Sequence, residues 1–476
     1  MSLGKRTSAA VIWSFGEQLA RRGVGIMVTL LLARFLVPED FGLVAMMTVF
    51  LALGQSLMDS GFRQALIRLP EITETEYSTA FFANLVLGLV AYFILFAAAP
   101  AIAAFYEETR LIGLIRVASL AIIINSFQVV QVASLSRELN FKAQMQAGLP
   151  ASIISGAIAV ALAYLDFGVW ALVVQTLLGA IIHTALLWWR HGWRPTNRFS
   201  LISAKGMYKF GYKLFFSQSL EILFQNIYPL VIAKLFTAST AGLYFFADRI
   251  RELVVSQFLH SIQAVTFPAL AKKQSNPAEL KDAYRRVIRV IMALYVPLVG
   301  GLILISPWLF ELLFPDEWYP AHRYLQILSL AALLYPIHSL NLNILRVLGR
   351  SDILLTLQVL KKVVTTVVLA TTAQIGIEAV LWGQVVQSLI FYFPNKYYSD
   401  RLIGYSFVEQ FKDISLYYAA SALIFAVSMW VVSQVGLGAL LSLVLAFCVF
   451  SSLYICVILM LDKPLVSEVL KVVGKA

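Results

Sequence analysis

Long apolar runs separated by short polar segments fill this chain from end to end. A run of about 18 or more apolar residues with few charges reads as a membrane-crossing helix. The pattern predicts fourteen spans: 10–33, 41–61, 79–104, 112–134, 148–165, 168–189, 213–235, 241–265, 288–310, 324–345, 353–374, 377–396, 414–434 and 437–460. The fifth and sixth join through "LDFGVW" and the last two through "SQVGLG", tight turns built on Gly168 and Gly436. The predicted fold class is an all-α polytopic membrane protein.

One polar interruption has an echo. Leu32–Met47 reads LARFLVPEDFGLVAMM, and Val231–Phe246 reads VIAKLFTASTAGLYFF. Ala33, Arg34, Gly42 and Leu43 match Ala233, Lys234, Gly242 and Leu243, each pair 200 residues apart. Pro38 stops one helix, and Glu39 or Asp40 can cap the next. Further short matches follow at nearly the same offset: "QALIR" with "PALAK", and "FGVWALV" with "IGIEAVL". The pattern predicts two six-helix lobes of parallel topology, a transporter-like repeat. The domain reading is 1–195 for the first lobe, 196–400 for the second, and 401–476 for two additional helices and a short tail.

Composition agrees with a membrane protein. Only 13% of residues are charged and mean hydropathy is +0.81, against about 25% charged in soluble chains. The net charge of +11 does not call for nucleic acid, because membrane proteins gather Lys and Arg in cytoplasmic loops. Basic residues concentrate in "WRHGWRPTNRFSLISAKGMYKFGYK" and "AKKQSNPAELKDAYRR", whereas the alternate loops hold only Arg34, Arg110 and Arg323. Both termini are thus expected in the cytoplasm. Met1 to Arg6 reads as a short basic start before a run long enough to span, so no cleavable leader is expected. Cys448 and Cys456 stand eight apart on one helix, too far for a bridge.

Certain stretches now carry a resemblance. "LARFLVPEDFGLVAM" resembles the first hairpin of bacterial polysaccharide exporters of the Wzx type. "SLSRELNFKAQ" resembles their cytoplasmic segment after the fourth span, and "DFGVWALVVQ" their fifth turn. The resemblance points to flippases of the multidrug/oligosaccharidyl-lipid/polysaccharide (MOP) exporter superfamily. It implies a V-shaped bundle in the bacterial inner membrane that moves a polyprenyl-pyrophosphate-linked oligosaccharide between leaflets by alternating access, for surface polysaccharide biosynthesis. The partners expected are that substrate, membrane lipid, and a polysaccharide polymerase with other assembly proteins. No cofactor is expected.

Chemistry within the spans is ionic. No GxxxxGK[ST] phosphate loop and no HExxH metal pair occurs, so neither a metal site nor enzymatic activity is expected. A charge at a helix centre costs ~2.5–3.5 kcal/mol on insertion scales, so each needs a reason. Glu17 and Arg21 stand i,i+4 and can neutralise each other. Arg22 points about 100° away without a local acid; it suits an anionic ligand or an ion pair with Glu221 on the seventh span. "ADRIREL" places Asp248 with Arg251, and Arg249 with Glu252, at i,i+3. That patch either neutralises itself or releases its arginines to a substrate phosphate. Lys361 and Lys362 lack an acid within a turn; one is expected to face the bundle and the other to snorkel. Asp59 reads as a counter-ion or a helix-end charge. Arg116, His260 and His338 read as packing residues first, Arg289 as snorkelling, Arg34 and Lys234 as headgroup anchors, and Trp188, Trp189, Trp193, Trp308 and Trp318 as an interfacial belt.

The leading expectation is a lipid-linked oligosaccharide flippase that neutralises pyrophosphate with Arg22, Arg21, Arg249, Arg251, Lys361 and Lys362, while Glu17, Asp59, Glu221, Asp248 and Glu252 serve as counter-ions or coupling groups. An ion-coupled drug exporter of the same superfamily is the alternative, for which an acidic cavity would be expected. A membrane-embedded glycosyl or phosphoglycosyl transferase is disfavoured by short outer loops.

Overall fold

The computed structural model describes residues 23–462, with side chains described only in part between 256 and 269. Its contacts divide the chain into two compact units, Met1–Gly242 and Leu243–Ala476.

The first unit contains α1 (Gly23–Leu32), α2 (Pro38–Asp59), α3 (Phe62–Arg68), α4 (Glu74–Tyr106), α5 (Leu111–Ala118), α6 (Leu120–Ser126), α7 (Val129–Arg137), α8 (Phe141–Tyr164), α9 (Val169–Arg190), α10 (Leu201–Gln225) and α11 (Ile227–Leu235). The helix starts follow local chemistry. Pro38 occupies the first turn of α2, and the Asp40 carboxylate accepts the Val37 N–H at 3.3 Å. Thr73 and Glu76 close a capping box on α4. Phe62, Leu66, Phe81, Val130 and Met207 bury one apolar cluster where α3, α4, α7 and α10 meet.

A long helix, α12 (Ala238–Ala271), runs across the boundary between the units. The second unit continues with α13 (Pro277–Leu313), α14 (Ala321–Ala332), α15 (Tyr335–Val347), α16 (Ser351–Thr372), α17 (Ile377–Ile403), α18 (Phe407–Val435) and α19 (Ala439–Leu461). Its core joins α13, α15, α17, α18 and α19 through Tyr284, Ile288, Leu340, Tyr392, Tyr417 and Phe450.

The fourteen-span expectation is corrected here. Among the described residues, nine helical segments are long and apolar enough to cross a membrane, or ten if the pair Leu111–Ser126 and Val129–Arg137, bent by 46°, counts as one. The first expected span lies largely outside the described residues. The seventh is broken at Asn226 into α10, which carries Lys205, Lys209, Lys213 and Glu221, and the nine-residue α11. The eighth falls on α12, where Asp248, Arg249, Arg251 and Glu252 crowd five positions. The twelfth falls on α17, whose apolar character is diluted by Gln384, Gln387, Ser388 and Asn395. Two six-helix lobes with two terminal helices do not emerge from these elements. Trp318 also leaves the expected belt: it is fully buried, 4.5 Å from the Phe246 ring, whereas Trp189 is 77% exposed.

Candidate functional site

The charged patch of α12 resolves into two different pairs. Asp248 Oδ1 lies 2.6 Å from Arg251 Nη2, both side chains largely shielded. Arg251 also donates to the Tyr335 hydroxyl at 2.9 Å, and its guanidinium lies 5.6 Å from that ring's centroid. Tyr335 opens α15, so this pair ties two helices of the second unit together. Arg249 and Glu252 stand 3.6 Å apart, each 54% exposed. The difference follows from helix geometry, since consecutive residues point about 100° apart.

A second ionic cluster joins residues far apart along the sequence. Asp413 on α18 is only 2% exposed and accepts from both Arg285 and Arg289 of α13. Arg285 binds through Nε at 2.7 Å and Nη2 at 3.0 Å, and Arg289 through Nε at 2.9 Å. The Tyr405 hydroxyl donates to the same carboxylate at 2.8 Å. Arg289 therefore pairs across helices and does not snorkel, which corrects the expectation for it. Tyr405 stands outside the helices, and both burial and the hydrogen bond to Asp413 push its phenol well above the ordinary range. Beside it, Lys396 is buried, its ammonium 4.6 Å from the Tyr405 ring centroid and without a hydrogen-bond partner among the described residues.

Other candidates have plainer surroundings. Asp59 pairs with Arg63 at 3.1 Å at the end of α2, a helix-end charge. His338 is held between Ser388 at 3.3 Å and Asn395 at 3.2 Å. Arg116 lies 4.2 Å from the Phe96 ring centroid. Lys361 faces the Phe391 ring of α17 at 5.7 Å. Glu221 accepts from Gln225 at 3.1 Å. Lys234, read as a headgroup anchor, instead binds Glu107 at 2.8 Å and holds that carboxyl below the ordinary range. Glu17, Arg21 and Arg22 lie outside the described residues, as does the side chain of His260.

The structure brings Asp248 to Arg251 and Arg249 to Glu252. Lys361 has a separate neighbour, Phe391. Arg285, Asp413, Tyr405 and Lys396 are the polar residues that sequence reasoning missed. Asp413 directly before an apolar run was a signal, but its arginine partners are more than 120 positions away. No group of three or more His, Cys, Asp or Glu that could hold a metal occurs among the described residues.

Residues 31–323 match the family described as "Polysaccharide biosynthesis protein". The chain is 26% identical over 310 residues to the teichuronic acid biosynthesis protein TuaB of Bacillus subtilis, a match covering 64% of this chain and 63% of that relative. It is 26% identical to the lipopolysaccharide biosynthesis protein WzxC of Escherichia coli, covering 76% and 74%. With the succinoglycan biosynthesis transport protein ExoT of Rhizobium meliloti it shares 25% identity, covering 98% and 95%. In fold it is similar to the lipid II flippase MurJ in an inward-closed conformation, with a TM-score of 0.74, 13% identity, and coverage of 96% and 100%. A multidrug resistance MATE transporter of the MOP superfamily in an inward-facing conformation gives 0.62, 17% identity, and coverage of 81% and 96%. The Pro-Glu-Asp turn, the helices long and apolar enough to cross a membrane and these likenesses agree: the chain belongs to the polysaccharide biosynthesis protein family, as a multi-pass membrane protein.

Proposed function

We infer that this chain carries a lipid-linked polysaccharide precursor across the membrane. The observation that carries the reading is the family match over 31–323, joined by relatives named for polymer biosynthesis or its transport. A polyprenyl-pyrophosphate-linked oligosaccharide is the proposed cargo, moved by alternating access. A polymerase and other assembly proteins are the proposed partners, and both termini are proposed to be cytoplasmic. The ranges 1–195, 196–400 and 401–476 stand as the proposed domain assignment. The drug-exporter reading has likeness of fold as its support, and likeness of fold does not specify a substrate.

The proposed mechanism rests on unequal charge pairing. Arg251 is already held by Asp248 and Tyr335, so a phosphate must compete for it, which favours release. Arg249 and Glu252 form the exposed, weaker pair. Arg21, Arg22, Lys361 and Lys362 complete the proposed cationic set, and Glu17, Asp59 and Glu221 the counter-charges. Arginine offers two parallel N–H donors to phosphate, lysine a point charge.

Complementation of a strain lacking the gene tests this, reading surface polymer and inner-leaflet lipid-linked precursor together. Arg22→Ala is expected to lose most export and Arg22→Lys to keep part. Lys361→Ala with Lys362→Ala is expected to weaken export at near wild-type abundance. Full export by all of these variants at normal abundance would rule out the cationic mechanism. Failure of the wild-type chain to restore polymer would rule out the transport reading.

A further inference from the structure

The second unit contains a cleft of about 410 Å³ where the start of α16 lies beside the last turn of α17. Gly349, at φ 69°, turns the chain out of α15, and Arg350 then caps α16. Arg350 is held by Asp352 through two parallel hydrogen bonds, Nε to Oδ1 at 3.0 Å and Nη2 to Oδ2 at 2.8 Å. Arg401 on α17 lines the same cleft and has no ion pair or hydrogen bond among the described residues. Two guanidiniums against one carboxylate leave one uncompensated positive charge. Thr356, whose hydroxyl donates to the Asp352 carbonyl at 3.1 Å, lines the cleft too, with Tyr398 and the buried Ile353.

The surface that continues from this cleft is apolar. Asp352 and Thr356 lie on the stripe of α16 that continues through Val359, Val363 and Val367. These three valines are 54%, 55% and 57% exposed. A cationic cleft thus opens onto an exposed hydrocarbon track on one helix face. Free phosphate would use only the first part; an amphiphile would use both.

We propose that the cleft formed by Arg350, Thr356, Tyr398 and Arg401 binds the phosphate or pyrophosphate of a membrane lipid, whose hydrocarbon chain lies along Val359, Val363 and Val367. Arg401 supplies the unengaged guanidinium, and Asp352 competes with the ligand for Arg350. The site deepens the transport reading, on which its use for cargo capture rests; the binding itself does not depend on it.

The test uses the full chain in nanodiscs of zwitterionic lipid, titrated separately with undecaprenyl pyrophosphate and with phosphatidylglycerol. Arg401→Gln is expected to weaken binding about tenfold, the size of one lost charge-assisted contact. Asp352→Asn is expected to tighten it about threefold by freeing Arg350. Arg323→Gln removes the same charge from the exposed Arg323–Glu378 pair elsewhere in the unit, and is expected to leave binding unchanged. An Arg401-dependent loss for undecaprenyl pyrophosphate supports a cargo site, and one confined to phosphatidylglycerol supports a site for bulk anionic lipid. Unchanged binding of both lipids in Arg401→Gln, or an equal loss in Arg323→Gln, overturns the proposal. Polymer export by a wild-type chain that shows no Arg401-dependent lipid binding would overturn this site and leave the transport reading standing.

Discussion

Arg251 touches three things at once: the Asp248 carboxylate, the Tyr335 hydroxyl and the Tyr335 ring. Removing one partner of such a buried pair strands a charge and costs about 3 kcal/mol or more, whereas replacing both is often neutral. Arg251→Leu is therefore expected to lower the melting temperature of the purified protein sharply, and Asp248→Leu with Arg251→Leu to recover most of it. Equal losses in both would assign the stability to packing around Tyr335. Asp413 allows a similar comparison across helices. Asp413→Asn leaves Arg285 and Arg289 facing each other, while Arg285→Ala leaves the carboxylate still bound by Arg289 and Tyr405. The asparagine variant should be the less stable of the two in the same assay. These clusters differ in how legible they were. The i,i+3 spacing of Asp248 and Arg251 follows from helix periodicity alone. Asp413 meets its arginines only because α13 and α18 pack together, and no local pattern encodes that packing.

At the scale of elements, the echo between residues 32–47 and 231–246 acquires a physical meaning within the first unit. The two segments meet. A β-carbon on Gly42 would fall inside the carbonyl oxygen of Ala238, and one on Gly242 inside the carbonyl oxygen of Pro38. Ala238 and Gly242 are the residues 200 positions after Pro38 and Gly42, so the contact is reciprocal. Small residues let helix backbones approach this closely, and backbone atoms cannot yield as a side chain can. Gly42→Ala and Gly242→Ala should each reduce folded yield and melting temperature. Gly206 is the internal comparison: it lies within α10 with open space around its absent side chain. Gly206→Ala should hold or raise stability by about 0.5–1 kcal/mol, since glycine is a poor helix former. Should Gly42→Ala melt no lower than Gly206→Ala, the crossing does not constrain the fold. The glycines and the proline could be read from the sequence, but their reciprocal contact could not, because it depends on where α2 and α12 are placed.

For the whole molecule, the membrane class and the family were legible because long apolar runs and the Pro-Glu-Asp turn are local features. The number of crossings was not. Runs of similar hydropathy become straight spans, bent pairs or charged helices according to breaks such as Asn226 and clusters such as Asp248 to Glu252. The undecided element is the bent pair α5–α6 with α7. Its residues, 111–137, would extend about 40 Å as a straight helix at 1.5 Å per residue, against about 30 Å of hydrocarbon, so a bend of 46° still permits crossing. The charge distribution favours crossing, because Arg137 ends the pair and Lys142 follows it, whereas Arg110 before it is tied to Glu39 and Glu108. Single cysteines at the exposed Thr109 and Leu139, placed in a chain with Cys448 and Cys456 changed to Ser, should therefore react with an impermeant thiol reagent from opposite sides of the membrane. Glu39→Cys should report the same side as Thr109, since Arg110 joins the two loops. Labelling of Thr109→Cys and Leu139→Cys from one side would make the pair re-entrant and reduce the crossings to nine among the described residues. It would also place the basic segment after α9 on the same side as Glu39, against the charge asymmetry that sets the proposed orientation.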